Sequence, residues 1–205
     1  MKFTPLVAII VSVTVASTLI GCNKNAIKSA PVGFLSQPHL MKEQSDGSWQ
    51  YLAPKIDWTK YSTAQVVPVA LSQEARQGKD DKQIAALMDL AMKFQTELQT
   101  ALGTKYSAVQ TPAANTLVVR AQIVKAQPNA PALNLAPQTQ IGGLGYGYGE
   151  IAVEVVDGAT GAVLYEFAGV QNTKRFSLEK ASVWGSIEAS LKVWAKQIAT
   201  ACKAG

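Results

Sequence analysis

The sequence is poor in the residues from which catalytic centres are most often built. A single histidine, His39, stands among 205 residues. Multi-histidine metal sites are therefore excluded, and any histidine-based triad has one base to draw on. Two cysteines, Cys22 and Cys202, cannot make a disulfide framework or a four-cysteine zinc site. Charged side chains are only 16% of the chain, against the roughly 25% of ordinary soluble domains, which removes polyampholyte tails, acidic disordered segments and coiled coils. The net charge of +5 permits nucleic-acid binding. The lysines are scattered, however, and no basic patch interleaves with aromatic residues, so no nucleic-acid partner is expected.

What is present begins with an export address. Met1 and Lys2 give a short positive start, and Phe3 to Ile20 carries no charge. A span that long could cross a membrane. It lies at the extreme N-terminus, however, has Ser12, Thr14, Ser17 and Thr18 in its second half, and runs into Leu19–Ile20–Gly21–Cys22. Position, apolar region and box together read as a signal peptide, and the box resembles that of bacterial lipoproteins. The resemblance implies cleavage between Gly21 and Cys22, a diacylglyceryl group on the Cys22 thiol and an acylated amine. Each buried methylene contributes about 0.8 kcal/mol, so two or three chains such as palmitate hold a protein on a bilayer. Asn23 stands where an Asp would favour the inner membrane, so the resemblance implies the outer membrane, with a periplasmic face as the default. Cys202 is then unpaired, and its place on an apolar helical stripe reads as core.

The expected organisation is a signal peptide over 1–21, a lipidated cysteine and tether over 22–32, and one domain over 33–205 with a Pro/Gly-rich insertion at 127–149. A chain of this size can bury about 70% of its unfolded surface, enough for one core. Trp49 to Leu52 alternates like a short strand after the Asp46–Gly47 turn signal. Ala64 to Leu71 reads as a strand interrupted by Pro68, hence at an edge or bulge. Asp80 to Leu102 is the clearest helix, with Ile84, Leu87, Met88, Ala91, Phe94, Leu98 and Leu102 at helical spacing, an Asp80–Gln83 capping box and Gly103 as the stop. Leu117 to Ala126 alternates. Ile151–Val155 and Val163–Phe167 flank Asp157–Gly158–Ala159–Thr160–Gly161 and form a hairpin. A second helix runs from about Leu178 to Lys203 with Ser177 as N-cap and Trp184, Ile187, Leu191, Trp194, Ile198 and Cys202 as its stripe. These elements predict an α+β fold: a two-layer sandwich of a mostly antiparallel sheet with two long helices on one face.

Chemistry is harder to find. His39 sits between Pro38 and Leu40 in an irregular region, and no Gly-x-Ser-x-Gly accompanies it, so catalytic residues are expected to be none. Asp80–Asp81 is the nearest thing to a metal cluster, and a helix start explains it; no metal or other cofactor is expected. Ile141 to Glu150 is glycine-rich but lacks the phosphate-loop ending and the dinucleotide spacing. A loop as long as 127–149 is usually functional or disordered. Within it Tyr146 and Tyr148 would point the same way in an extended strand, making them the candidate contacts for a partner, with a flexible insertion as the alternative. Trp49, Tyr51, Trp58 and Tyr61 read as core around the first strand.

Gly33–Phe34–Leu35–Ser36 after the tether, Trp49–Gln50–Tyr51, Pro54, Asp57, Lys60–Tyr61, Val67–Pro68–Val69 and the Glu154…Val156–Asp157–Gly158–Ala159–Thr160–Gly161 hairpin resemble the YdcL-like lipoproteins, a domain-of-unknown-function family of Gram-negative envelopes. The resemblance covers nearly the whole chain after Cys22 and implies no established activity. The element order is also similar to periplasmic lipoproteins of the curli-secretion and penicillin-binding-protein-activator kind, a fold-level analogy only. The expected function is a non-enzymatic binding or adaptor module, lipid-anchored at the outer membrane and facing the periplasm, with an envelope protein as partner. The alternatives are an oligomeric assembly or transport accessory using 127–149, and a hydrolase using Ser or Cys with His39. Oligomeric state and ligand are left open.

Overall fold

The computed structural model describes residues 33–128, 147–172 and 184–203. Within them the chain forms β1 (Lys42–Glu43), β2 (Trp49–Leu52), β3 (Thr63–Val66), β4 (Ala70–Leu71), α1 (Gln73–Arg76), α2 (Asp81–Leu102), β5 (Ser107–Ala108), β6 (Thr116–Gln127), β7 (Tyr148–Asp157), β8 (Val163–Asn172) and α3 (Gly185–Ala201). The fold of the described residues is mixed α/β: one eight-stranded, mostly antiparallel open sheet in the order β1-β2-β8-β7-β6-β3-β5, with β4 also on β6, and three helices. The sheet is parallel only where β3 and β4 meet β6 and β5 meets β3. Two parallel strands need a crossover between them, and α1 and α2 provide it.

Local chemistry sets the elements. Pro68 divides the expected 64–71 strand into β3 and β4, because it has no N–H to give to a ladder. Asp80 Oδ1 accepts from the Gln83 N–H at 2.8 Å and Gln83 Oε1 accepts from the Asp80 N–H at 3.1 Å, completing the capping box. Gly103 ends α2 with φ −61 rather than in the left-handed region; a Cβ there would stand 2.9 Å from the Gln99 carbonyl oxygen. The β7–β8 hairpin is closed by Asp157, whose Oδ1 accepts from the N–H groups of Ala159 and Thr160, and by Gly161 at φ +73. Tyr61 packs against Trp58 and donates its hydroxyl to Asp157 Oδ2 at 2.7 Å.

Three expectations need correction. Met88 is not core but 57% exposed, and Leu90 is buried in its place. The apolar arc of α2 centres on Leu87, Ala91, Phe94 and Leu98, and Met88 falls off its side at 100° per residue. The second long helix begins at Gly185 with Trp184 at its N-cap, not at Leu178 after Ser177; Ser177 and Leu178 lie outside the described residues. The strands also run into the expected 127–149 insertion, since Gln127 ends β6 opposite Tyr148 at the start of β7.

The main core joins Leu87, Phe94, Leu98 and Leu102 of α2 and Ile187, Leu191, Trp194 and Ile198 of α3 to alternate strand positions: Leu117, Val119, Ile151, Val153, Val155, Tyr165 and Phe167. Burial of each such side chain contributes roughly 1.5–3 kcal/mol. Cys202 belongs to this core, as its stripe position predicts. Burial pushes its thiol up to about 12, and its carbonyl accepts the Tyr106 hydroxyl. Among the described residues no helix is long and apolar enough to cross a membrane.

Candidate functional site

Side chains alternate across a strand, so the intervening positions of β6, β7 and β8 form a second surface. Strand register aligns them in rows. One row reads Arg120, Glu154, Glu166 and Tyr51; the next reads Gln122, Ala152, Ala168 and Trp49. Such polar alternation usually means a face in water. Here Glu154 and Glu166 are 2% and 0% exposed, and Ala152 and Ala168 are fully buried.

The cover is the segment Gly33–Met41, a strap lying over this surface. Leu35 and Met41 form a second, smaller core with Val124, Ala152 and Ala168, and Phe34, Trp49 and Tyr51 pack at its margin. The two alanines leave the room that the strap fills. Gly33 approaches so closely that a Cβ would stand 2.9 Å from the Ala152 Cβ, and its φ of +35 favours glycine. Pro38–Leu40 then makes a turn of 3-10 helix before β1.

Polar contacts fix the strap to the carboxylates. Glu166 Oε1 accepts the N–H groups of Ser36 at 2.7 Å and Gln37 at 2.8 Å. Glu154 Oε1 accepts the Ser36 hydroxyl at 2.5 Å, and its Oε2 accepts from Arg120 Nη1 at 3.2 Å. Glu166 Oε2 is buried and has no partner. Burial raises the proton affinity of Glu166 and neighbouring Glu154 adds to the rise, while the Gln37 and Ser36 N–H groups and His39 oppose it. The arrangement grips a main-chain segment through two successive amides, one hydroxyl and two apolar side chains.

The sequence-predicted residues are distributed differently. Gly21, Cys22 and Tyr146 lie outside the described residues. Tyr148 opens β7, half-buried, with the Lys125 ammonium 5.9 Å from its ring centroid. Lys125 also pairs with Glu74 at 3.1 Å, and burial raises the proton affinity of nearby Glu150. His39 is exposed on the strap, whereas Cys202 lies in the main core, so the structure does not bring those two together. Among the described residues no group of His, Cys, Asp and Glu is arranged to hold a metal ion.

Sequence reasoning did not single out Glu154 and Glu166, which fall at alternate positions of the two hairpin strands. A signal was present: small residues two positions away, Ala152 and Ala168, on what should be a wet face. Two concavities lie elsewhere among the described residues. A cleft of about 140 Å³ beside β3 and α2 is lined by Gln65, Gln95, Gln99 and Gln110 without a charge. A groove of about 470 Å³ between α2 and α3 carries Lys192, Lys196 and Lys203 with Glu97.

A family model described as a protein of unknown function, DUF3313, matches residues 31–198. No curated protein matches the chain. Among solved structures, a dodecameric single-substitution variant of PelC from Paraburkholderia phytofirmans is similar at 11% identity over 77% of this chain and 98% of that chain, with a TM-score of 0.48. The PelC dodecamer from the same organism is similar at 13% identity over 77% and 97%, with a TM-score of 0.46. The hypothetical protein CT253 from Chlamydia trachomatis is similar at 12% identity over 70% and 99%, with a TM-score of 0.42.

Proposed function

The chain belongs to the DUF3313 family of proteins of unknown function, and on that premise we propose that it is a lipid-anchored, non-enzymatic binding or adaptor module of the bacterial outer membrane. In this reading it is a YdcL-like envelope lipoprotein: Cys22 carries the lipid, the following residues are a tether, and a two-layer α+β sandwich with α2 and α3 on one face stands in the periplasm and engages an envelope protein. The observation that carries the proposal is the order of parts. An uncharged run and a Leu19–Ile20–Gly21–Cys22 box are followed within a few residues by the family match at 31 and by the docked strap at Gly33. A tether that short keeps the domain within tens of ångströms of the bilayer, since an extended residue spans about 3.3–3.6 Å.

A role in binding is supported by where the reactive groups are spent. The Ser36 hydroxyl is committed to Glu154, and the Cys202 thiol is buried and hard to ionise. Neither is free to act as a nucleophile with His39, which needs an accessible group beside a base.

The test is Cys22→Ala in cells fed a labelled fatty acid. The wild-type chain should carry label and fractionate with the outer membrane. The variant should accumulate as an unlabelled precursor, and normal processing of it would refute the anchor. In-cell crosslinking should return an envelope protein, and a His39→Ala chain should keep the wild-type phenotype. Loss of phenotype in that variant with a normal fold would favour the hydrolase reading instead.

A further inference from the structure

The strap seals two acidic side chains away from water, while the cation beside them, Arg120, stays half-exposed. Glu154 and Glu166 are directly opposite on adjacent strands, an arrangement that disfavours two like charges. The cation bonded in this row, Arg120, is bonded to Glu154. Among the described residues, Glu166 has only the amides of Ser36 and Gln37, and both fall on Oε1. Its Oε2 is buried without a partner.

We propose that docking of the Gly33–Met41 strap takes up a proton at the Glu154–Glu166 pair, which makes the strap a latch that closes in mild acid and loosens as the pH rises. The proton belongs on Glu166 Oε2. That placement relieves the repulsion from Glu154 and removes an unpaired buried charge, whose cost is otherwise high. It leaves Oε1 as an acceptor for both amides, so protonation does not cut the strap loose. Lifting the strap exposes Glu166 to water, its proton affinity falls back toward that of an ordinary carboxyl, and the proton leaves. A group that holds its proton more tightly in the docked state makes docking pH-dependent. The raised proton affinity of Glu166 agrees in direction.

The groups that face the pair are Arg120 from β6, Tyr51 from β2, and Ser36, Gln37 and His39 from the strap. His39 opposes the proton on Glu166, so its own titration has to be separated from that of the pair. One consequence rests on the proposed anchoring: the strap joins the tether to the sheet, and its release would lengthen the domain's reach by roughly 30 Å at 3.3 Å per residue. The latch itself stands whether or not Cys22 is lipidated.

The test is hydrogen exchange of the peptide spanning 33–41 in the full chain from pH 5 to pH 8, corrected for the intrinsic rate. Wild-type protection of the strap should fall about tenfold or more across that range, with a flat profile in α2. Glu166→Gln, which mimics the protonated carboxyl, should flatten the strap profile. Flat wild-type protection, or an unchanged slope in the variant, overturns the proposal. Should Glu166→Gln not fold, Glu154→Gln removes the repulsive part of the rise and should make the slope shallower, while burial of Glu166 keeps the rest; an unchanged slope there also overturns it. His39→Ala should keep the slope, and its loss would assign the titration to His39 and overturn the latch.

Discussion

Glu154 and Glu166 face each other across β7 and β8, and the amide that closes over Glu166 from Ser36 lies 130 residues earlier in the chain. That contact ties the first described residues to the last hairpin of the sheet and seals a surface that strand alternation alone would leave wet.

The first prediction concerns stability against pH. Glu166 holds its proton more tightly folded than its ordinary value of 4.5. For an acid with a raised folded value, the stabilising state is the protonated one. Its contribution is complete below 4.5 and is lost as the pH rises through the folded value. Glu166→Gln should therefore match the wild type in urea unfolding near pH 4.5 and gain on it by pH 7.5. A variant equally less stable at both would show that the carboxylate is stabilising instead.

A second prediction tests the close approach at Gly33. Alanine there meets Ala152 at 2.9 Å with φ at +35, a combination that should cost about 1–2 kcal/mol. The loss should appear as faster exchange of 33–41 and a lower unfolding midpoint. Ala152→Gly should recover the steric part but not the conformational part, so the double variant should be intermediate. Wild-type stability in Gly33→Ala would mean the strap is not seated there.

The third concerns Gly169 in β8, which lies under the Trp194 indole. A Cβ at Gly169 would stand 2.6 Å from Trp194 Cε2, and the ring is also 6.4 Å from Phe167 between centroids. Gly169→Ala should cost about 1–3 kcal/mol by forcing the indole off its site. Near-ultraviolet circular dichroism should report the displaced tryptophan. Gly161→Ala, with open space around it but φ at +73, should lose stability without that spectral change.

The fourth is chemical. With its thiol at about 12 and fully buried, Cys202 should react with a water-soluble maleimide at least about a hundredfold more slowly in the native chain than after unfolding, because the thiolate is the reactive form. Peptide mapping of the labelled protein resolves Cys202 from Cys22. Equal rates would place Cys202 at the surface.

Much of the architecture was legible because it rests on local rules. The 3.6-residue spacing of Leu87, Ala91, Phe94 and Leu98, the Asp80–Gln83 capping box and the Asp157–Gly161 turn each act within a few residues, so the sequence displays them directly. Pro68 announced an interrupted strand for the same reason, although β3 lies between β6 and β5 and not at the edge. The limit shows at Met88 and Met92, which are exposed although apolar: spacing gives an apolar arc, and only contact with the sheet decides where the arc ends.

By itself the sequence determined the hairpin, the long α2 helix, the alternating strands and the core position of Cys202, because hydrophobic periodicity and turn chemistry are short-range. Only the tertiary structure decided that Glu154 and Glu166 are buried. A strand pattern states which residues share a face but not what lies over that face, and here the cover comes from Gly33–Met41, far away in the chain. The paucity of histidine and cysteine pointed away from a catalytic centre built on those residues. The chemistry that remains rests instead on two glutamates whose environment no local pattern could reveal.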